Sequence, residues 1–176
     1  MHERSCDIAV IGAGTAGLAA FRAAREAGAD AVLIEAGPGG TTCARVGCMP
    51  SKLLITAADA ADAARRSGRF GIETGPVRVD GPAVLARVRE ERDRFVAGVR
   101  EGVARFPESA HIDGRARFDG AATLIVDART RLSFRAAIVA TGSRPVVPGP
   151  LRDLGDRVLT TDTLFEIADL PASLAV

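Results

Sequence analysis

Apolar residues follow two distinct rhythms along this chain. Residues 8–11 and 31–34 are unbroken apolar runs, as expected of strands buried on both faces of a parallel sheet. Between them, residues 16–27 place small side chains on one helical face, and Gly28 stands where a helix would stop. Strand, helix and strand in this order predict a βαβ unit, closed by Glu35 at the end of the second strand. Residues 43 to about 66 have helix composition, with Pro50 near the start, where a missing N–H is tolerated. Residues 82–106 carry Leu85, Val88, Phe95, Val99, Val103 and Phe106 at helical spacing with charges between them, which predicts an amphipathic helix facing a core or another subunit. From 110 to 133 the rhythm changes to short alternating runs, 116–118 and 123–127, parted by turn residues such as Asp119 and Gly120. That pattern predicts a small antiparallel meander. Residues 136–140 return to a buried strand, and Pro145, Pro148 and Pro150 read as a connector. The fold class is α/β, a parallel sheet with helices plus a small meander.

At 176 residues the chain suffices for one ordinary core and a short extension. A hydrophobic share of 47% and a charged share of 26%, with both signs interspersed, place it among soluble globular proteins. The net charge of +1 and the lack of a basic stripe argue against a nucleic-acid partner. Arg65, Arg66 and the mixed charges of 89–94 read as solvated helix faces, and His111 as a turn or surface residue. Lys52 is the only lysine, and Trp, Tyr, Asn and Gln are missing. The N-terminus lacks a basic n-region and a long apolar h-region, so the expected location is cytoplasmic, with no membrane partner. In that compartment three cysteines do not build a structural framework, and a close pair is catalytic, redox-active or metal-binding.

Two motifs carry chemistry. Gly12-Ala-Gly14-Thr-Ala-Gly17 lies between a predicted strand and a predicted helix, with Glu35 at the end of the next strand. A dinucleotide needs this arrangement: Gly12 for the tight turn, Gly14 so that pyrophosphate can approach, Gly17 for close helix–strand packing, and a carboxylate for the ribose hydroxyls. The motif alone does not separate FAD from NAD.

The second motif is Thr42-Cys43-Ala-Arg-Val-Gly47-Cys48-Met-Pro50-Ser51-Lys52, directly after the second strand and so expected beside the dinucleotide. In one ideal helix, residues five apart have Cα atoms roughly 8 Å apart on diverging faces, beyond the ~7 Å limit for a disulfide. Cys43 is therefore expected in irregular backbone before or at the helix start, with Gly47 allowing the bend. A cysteine at a helix N-terminus has its thiolate favoured by the dipole and free amides, which suits thiol–disulfide exchange. Zinc fits poorly, because no second Cys/His pair follows and His2 and His111 are isolated. Two merely buried cysteines remain the other alternative, and Cys6 reads as structural filler.

With these residues in view the chain resembles the class I pyridine nucleotide-disulfide oxidoreductases, the flavin enzymes that include dihydrolipoyl dehydrogenase, glutathione reductase and mercuric reductase. The resemblance rests on Gly12 to Gly17, Glu35, Thr42-Cys43, Gly47-Cys48, Pro50-Ser51-Lys52, and Ala140-Thr141-Gly142-Ser143-Arg144-Pro145, and covers nearly the whole chain. It implies a Rossmann-like FAD-binding domain over 1–145 with Cys43 and Cys48 as the redox-active pair. Residues 146–176 would be a connector and the start of a missing NAD-binding domain, with 170–176 opening its first strand. Within that pattern Cys43 exchanges with substrate and Cys48 lies against the flavin, with Lys52 near isoalloxazine N5. Gly12, Gly14, Gly17 and Glu35 hold pyrophosphate and ribose, Thr42, Gly47, Thr141 and Gly142 pass close to the cofactor, and Ala116 presents its backbone to the adenine. The implied partners are FAD, NAD, a dithiol or disulfide substrate such as a lipoyl domain, and a second copy in a homodimer. One departure stands inside the motif: the family has two glycines before Thr-Cys, and here Gly40 is followed by Thr41. Ser51 favours the lipoamide or mercuric branch. The alternative for the isolated chain is a non-catalytic FAD-binding or subunit-pairing fragment.

Overall fold

The computed structural model describes residues Met1–Val176. Its order is β1 (His2–Ile11), α1 (Thr15–Glu26), β2 (Ala31–Glu35), α2 (Thr42–Val46), α3 (Cys48–Arg65), α4 (Gly81–Ala104), β3 (His111–Asp113), β4 (Ala116–Phe118), β5 (Thr123–Val126) and β6 (Thr130–Val139). Two compact units divide the chain: Met1–Thr42 with Val96–Arg144, and Cys43–Phe95 with Pro145–Val176. The α/β class expected from the sequence is what the chain adopts.

The first unit holds one six-stranded sheet in the order β3-β2-β1-β6-β5-β4. β1 pairs in parallel with both β2 and β6, and β3 pairs in parallel with β2. β4, β5 and β6 pair antiparallel. The apolar runs are unbroken because the sheet is covered on both sides. Ala9, Ile11, Val32 and Ile34 pack with Leu124, Val126, Leu132 and Phe134 of the meander. Val10, Ala31 and Leu33 pack with Leu18, Phe21 and Ala24 of α1, joined by Val99, Val103 and Phe106. Phe21 is 2% exposed and its ring lies 4.7 Å from that of Phe106. Burial of one such side chain contributes about 1.5–3 kcal/mol.

Local chemistry sets the ends of these elements. Helix α1 stops at Gly28, whose φ is +82°. The Ala29 N–H reaches the Ala24 carbonyl and the Gly28 N–H reaches that of Arg25, each at 3.0 Å, the paired bonds that close a helix on a left-handed residue. The β5–β6 turn puts Asp127 and Ala128 at φ +46° and +55°, closed by the Arg129 N–H to the Val126 carbonyl at 3.0 Å. Such mirror-image turns match the twist of the strands they join.

Three expectations change here. Residues 130–139 form one strand serving both the meander and the parallel sheet, where the sequence suggested two. His111 opens β3 opposite Leu33 and is half-buried, so it is a strand residue and not a turn residue. Residues 170–176 carry no strand.

In the second unit α3 is exposed along most of its length, with Pro50 its one buried residue. On α4, Leu85 and Val88 are fully buried, and the helix is tied to the 3-10 turn Leu164–Glu166 by two arginines. Arg89 donates to the Phe165 and Ile167 carbonyls at 3.3 and 3.1 Å, and Arg92 bonds Asp93 and Glu166. Burial alone would push the Arg92 guanidinium down, but the two carboxylates outweigh it and hold it up. The buried stripe of α4 runs through Val96 and not through Phe95, which is 49% exposed. Residues 85, 88, 92, 96, 99 and 103 keep the three-and-four spacing of one helical face, and Phe95 falls outside it.

Candidate functional site

Each glycine of the loop between β1 and α1 has a separate geometric reason. Gly12 takes φ +105°, and a Cβ there would sit 2.4 Å from the Ala140 carbonyl oxygen and 3.3 Å from Thr141 Cα. Gly17 packs onto Gly12 so closely that a Cβ would lie 1.8 Å from the Gly12 carbonyl oxygen. Gly14 differs: a Cβ there meets nothing within 4 Å, so its missing side chain leaves open space. Gly14 is also the N-cap of α1, which has no side-chain cap and no acidic residue in its first turn. The positive end of the helix dipole and its unpaired amides are therefore left for an anion. Gly12, Gly17, Ala140 and Thr141 thus come together, and Gly142 follows at φ +73°. Gly14→Ala is expected to leave the melting temperature of the cofactor-free chain within about 2 °C, since a methyl added into open space without a clash shifts stability by at most about 0.5 kcal/mol. The same change should cut FAD affinity at least about tenfold, measured by flavin fluorescence titration. Unchanged affinity would refute the cradle.

Glu35 faces this loop. Its Oε2 accepts the Ala13 N–H at 2.6 Å and its Oε1 accepts the Gly37 N–H at 2.6 Å. Each carboxylate oxygen has a further lone pair for a ribose hydroxyl. The chain beyond it, residues 37–41, is held by Arg100, whose Nε donates to the Pro38 carbonyl at 2.9 Å. Gly39, Gly40 and Thr41 take φ of +68°, +82° and +60° in succession. Thr41, the departure from the family motif, thus stands at a position where glycine is at ease and a β-branched residue costs about 1–2 kcal/mol.

The thiol site lies in the second unit. Cys43 sits inside the short helix α2, not in irregular backbone, and the break that parts it from Cys48 falls at Gly47 (φ −117°, ψ −114°). One helix is thus split into two, which frees the cysteines from the spacing of a continuous one. Cys48 opens α3 and is exposed, while Cys43 is half-buried, and both are free thiols. Their side chains are hydrogen-bonded to each other. That bond is the chief reason the Cys43 thiol is pushed up, with partial burial and the charge of Cys48 adding to it. The Cys48 backbone N–H and the Lys52 charge act in the opposite direction, so Lys52 lies within electrostatic reach of Cys43.

Ala116 opens β4 and is half-buried against the core. Cys6 belongs to the core, and burial followed by the charge of Asp30 pushes its thiol up to about 11. At pH 8 only about one Cys6 in a thousand is then thiolate. An alkylating reagent read by peptide mass is expected to modify Cys48 long before Cys6, and comparable rates would contradict that burial. Sequence reasoning missed Arg100 and the Ala13 amide. Arg100 looks like any solvated charge on an amphipathic helix, and a backbone N–H leaves no mark in a sequence.

A family model described as pyridine nucleotide-disulphide oxidoreductase matches residues 6–176. The chain is 35% identical over 181 residues to a dihydrolipoyl dehydrogenase of Halobacterium salinarum, covering 97% of this chain and 37% of that protein. It is 39% identical to a mercuric reductase of Shigella flexneri (96% and 31% covered). A mycothione reductase of Mycobacterium tuberculosis is 31% identical (97% and 38% covered). The chain therefore spans between about a third and two fifths of these relatives' length. Its fold is similar to that of a copper(II) complex of the HOCl-induced flavoprotein disulfide reductase RclA from Escherichia coli. That match has a TM-score of 0.74 at 23% identity and covers 96% of this chain and 36% of that one. No helix is long and apolar enough to cross a membrane.

Proposed function

Because the chain belongs to the pyridine nucleotide-disulphide oxidoreductase family, we propose that it is the FAD-holding, thiol-bearing part of a flavoprotein that oxidises a dithiol with NAD, working in the cytoplasm as a homodimer. The observation that carries this reading is the placement of Cys43 on α2 and Cys48 at the start of α3, parted only by the break at Gly47, with Lys52 one turn along α3. The open space at Gly14, the uncapped start of α1 and the Glu35 carboxylate fit the phosphates and ribose of FAD. Gly12 and Gly17 bring the loop close to Ala140 and Thr141, and Thr42, Gly47, Thr141, Gly142 and the Ala116 backbone are proposed to line the cofactor. FAD, when bound, supplies a two-electron carrier between the cysteine pair and NAD.

The chain's own residues do the rest. With the pair oxidised, a substrate thiolate attacks Cys43 Sγ, the Cys43–Cys48 bond breaks, and Cys48 leaves as a thiolate. A second substrate thiolate then attacks the substrate sulfur of the mixed disulfide, Cys43 leaves and takes a proton, and the substrate departs as a disulfide. Two electrons now rest on the pair. Lys52 offsets the negative charge that this leaves.

The dithiol we propose is dihydrolipoamide on a lipoyl domain, which Ser51 favours over glutathione. A metal-ion reductase is the second reading, favoured by the 39% identity to a protein named mercuric reductase. The test is a visible spectrum of the FAD-loaded protein before and after one equivalent of dihydrolipoamide. A long-wavelength shoulder appearing on reduction is expected, from a Cys48 thiolate against the flavin. A flavin spectrum that dihydrolipoamide leaves unchanged, with mercuric ion oxidising the reduced protein, would replace the first reading with the second.

A further inference from the structure

The segment between Glu35 and Thr42 follows a left-handed path. Three consecutive residues, Gly39, Gly40 and Thr41, are left-handed, and a left-handed run is disfavoured for L-residues, for threonine most of the three. What holds it lies on either side. Glu35 Oε1 accepts the Gly37 N–H at 2.6 Å, and the opposite oxygen of the same carboxylate accepts the Ala13 N–H within the glycine loop. From helix α4, Arg100 Nε donates to the Pro38 carbonyl at 2.9 Å. The Arg100 stem also lies over Gly39, where a Cβ would be 3.7 Å from Arg100 Cγ and 4.0 Å from Nε. Glu35 therefore reaches two backbone segments at once, and Arg100 fixes the outer one.

We propose that Arg100 is a positioning residue for the adenosine half of FAD: by holding Pro38 and Gly39 it keeps Gly37 against Glu35, and so keeps that carboxylate turned toward the glycine loop. The proposal rests on the reading that the first unit holds FAD. Its effect is on retention of the cofactor and on order in the loop. Lysine at this position retains a cation that can donate to the same carbonyl but lacks the planar fork.

The test compares the wild type with Arg100→Ala and Arg100→Lys. Three quantities are read: the rate of FAD release after dilution, followed as recovered flavin fluorescence; hydrogen exchange of the amides of residues 39–41; and the melting temperature of the cofactor-free protein. Arg100→Ala is expected to release FAD about tenfold faster, the effect of losing one charged hydrogen bond, and to exchange those amides faster with its melting temperature unchanged. Arg100→Lys should recover part of both effects. Unchanged release and exchange in Arg100→Ala would overturn the proposal, as would a fall in melting temperature equal in both variants with no selective change at 39–41. If the wild type binds no FAD, the functional reading fails, and the exchange measurement on the cofactor-free protein still decides whether Arg100 holds the loop.

Discussion

Replacing Gly17 with alanine is expected to lower the melting temperature by about 6 °C, from a net cost of about 2 kcal/mol at the usual 2–4 °C per kcal/mol for a chain of this size. The added methyl would lie 1.8 Å from the Gly12 carbonyl oxygen and 2.9 Å from its carbon, both backbone atoms, and 3.4 Å from Ala140 Cβ. Neither side can yield easily. The Gly12 N–H is bonded to the Ile34 carbonyl at 2.7 Å and the Ala140 N–H to that of Ile11 at 2.8 Å, so the contact is anchored to three strands. Alanine gains about 1 kcal/mol in helix propensity over glycine, whereas forced overpacking of this kind costs about 3 kcal/mol or more. The clash wins. Thermal unfolding by circular dichroism measures it, and a loss under about 2 °C would mean that α1 can slide away from the loop. Gly14→Ala, three residues earlier, is the matched control, since it adds the same methyl into open space.

Replacing Cys48 with alanine has the other large expected effect. Dithiol oxidation by the FAD-loaded protein should fall by about a thousandfold or more, the scale seen when a nucleophile of a concerted unit is removed. Cys43→Ser should lose as much activity, so turnover alone does not separate the two roles. The titration of Cys43 does. Its thiol is held up mainly by the hydrogen bond to Cys48, so in Cys48→Ala the proton is lost at lower pH. The sign follows directly: removing the leading cause that raises the value leaves the Cys48 backbone N–H and Lys52 to lower it, against partial burial. Alkylation of Cys43 in Cys48→Ala is then expected to reach half its maximal rate at a lower pH than in the wild type. An unmoved profile would show that Cys48 does not hold the Cys43 thiol up in solution.

The parts of the molecule that could be read from the sequence are those in which one residue type has one physical reason. The run at 8–11 could only be a doubly covered strand, and Gly12, Gly14 and Gly17 between a strand and a helix pointed to close backbone approaches. Gly47 was recognised as the bend between the cysteines. What could not be read depends on which segments meet. Nothing in residues 130–139 shows that one strand continues from a meander into a parallel sheet, because apolar alternation is the same in either setting. Phe95 and Val96 are adjacent on a helix, and the larger side chain suggests the core although α4 turns the smaller one inward. The second helical turn around Cys43 was missed because spacing forbids one continuous helix and is silent about two. Thr41 was visible as a departure, but its left-handed backbone was not.

The central pairing of β1 with β6 has a consequence for how the protein is made. Nine of the ten residues of β1 stand in register with β6, and Asp7 accepts from Arg135, each partner about 128 residues along the chain. At roughly 5–20 residues per second, a ribosome that has finished β1 needs on the order of ten seconds to deliver β6. Throughout that interval β1 can pair with β2 on one side only, and its other edge, including the apolar run 8–11, stays open to any extended strand nearby. The nascent chain is thus most vulnerable to misassociation while it is being synthesised, and its yield in a cell depends on translation speed and on chaperones that shield that edge as well as on the stability of the finished sheet.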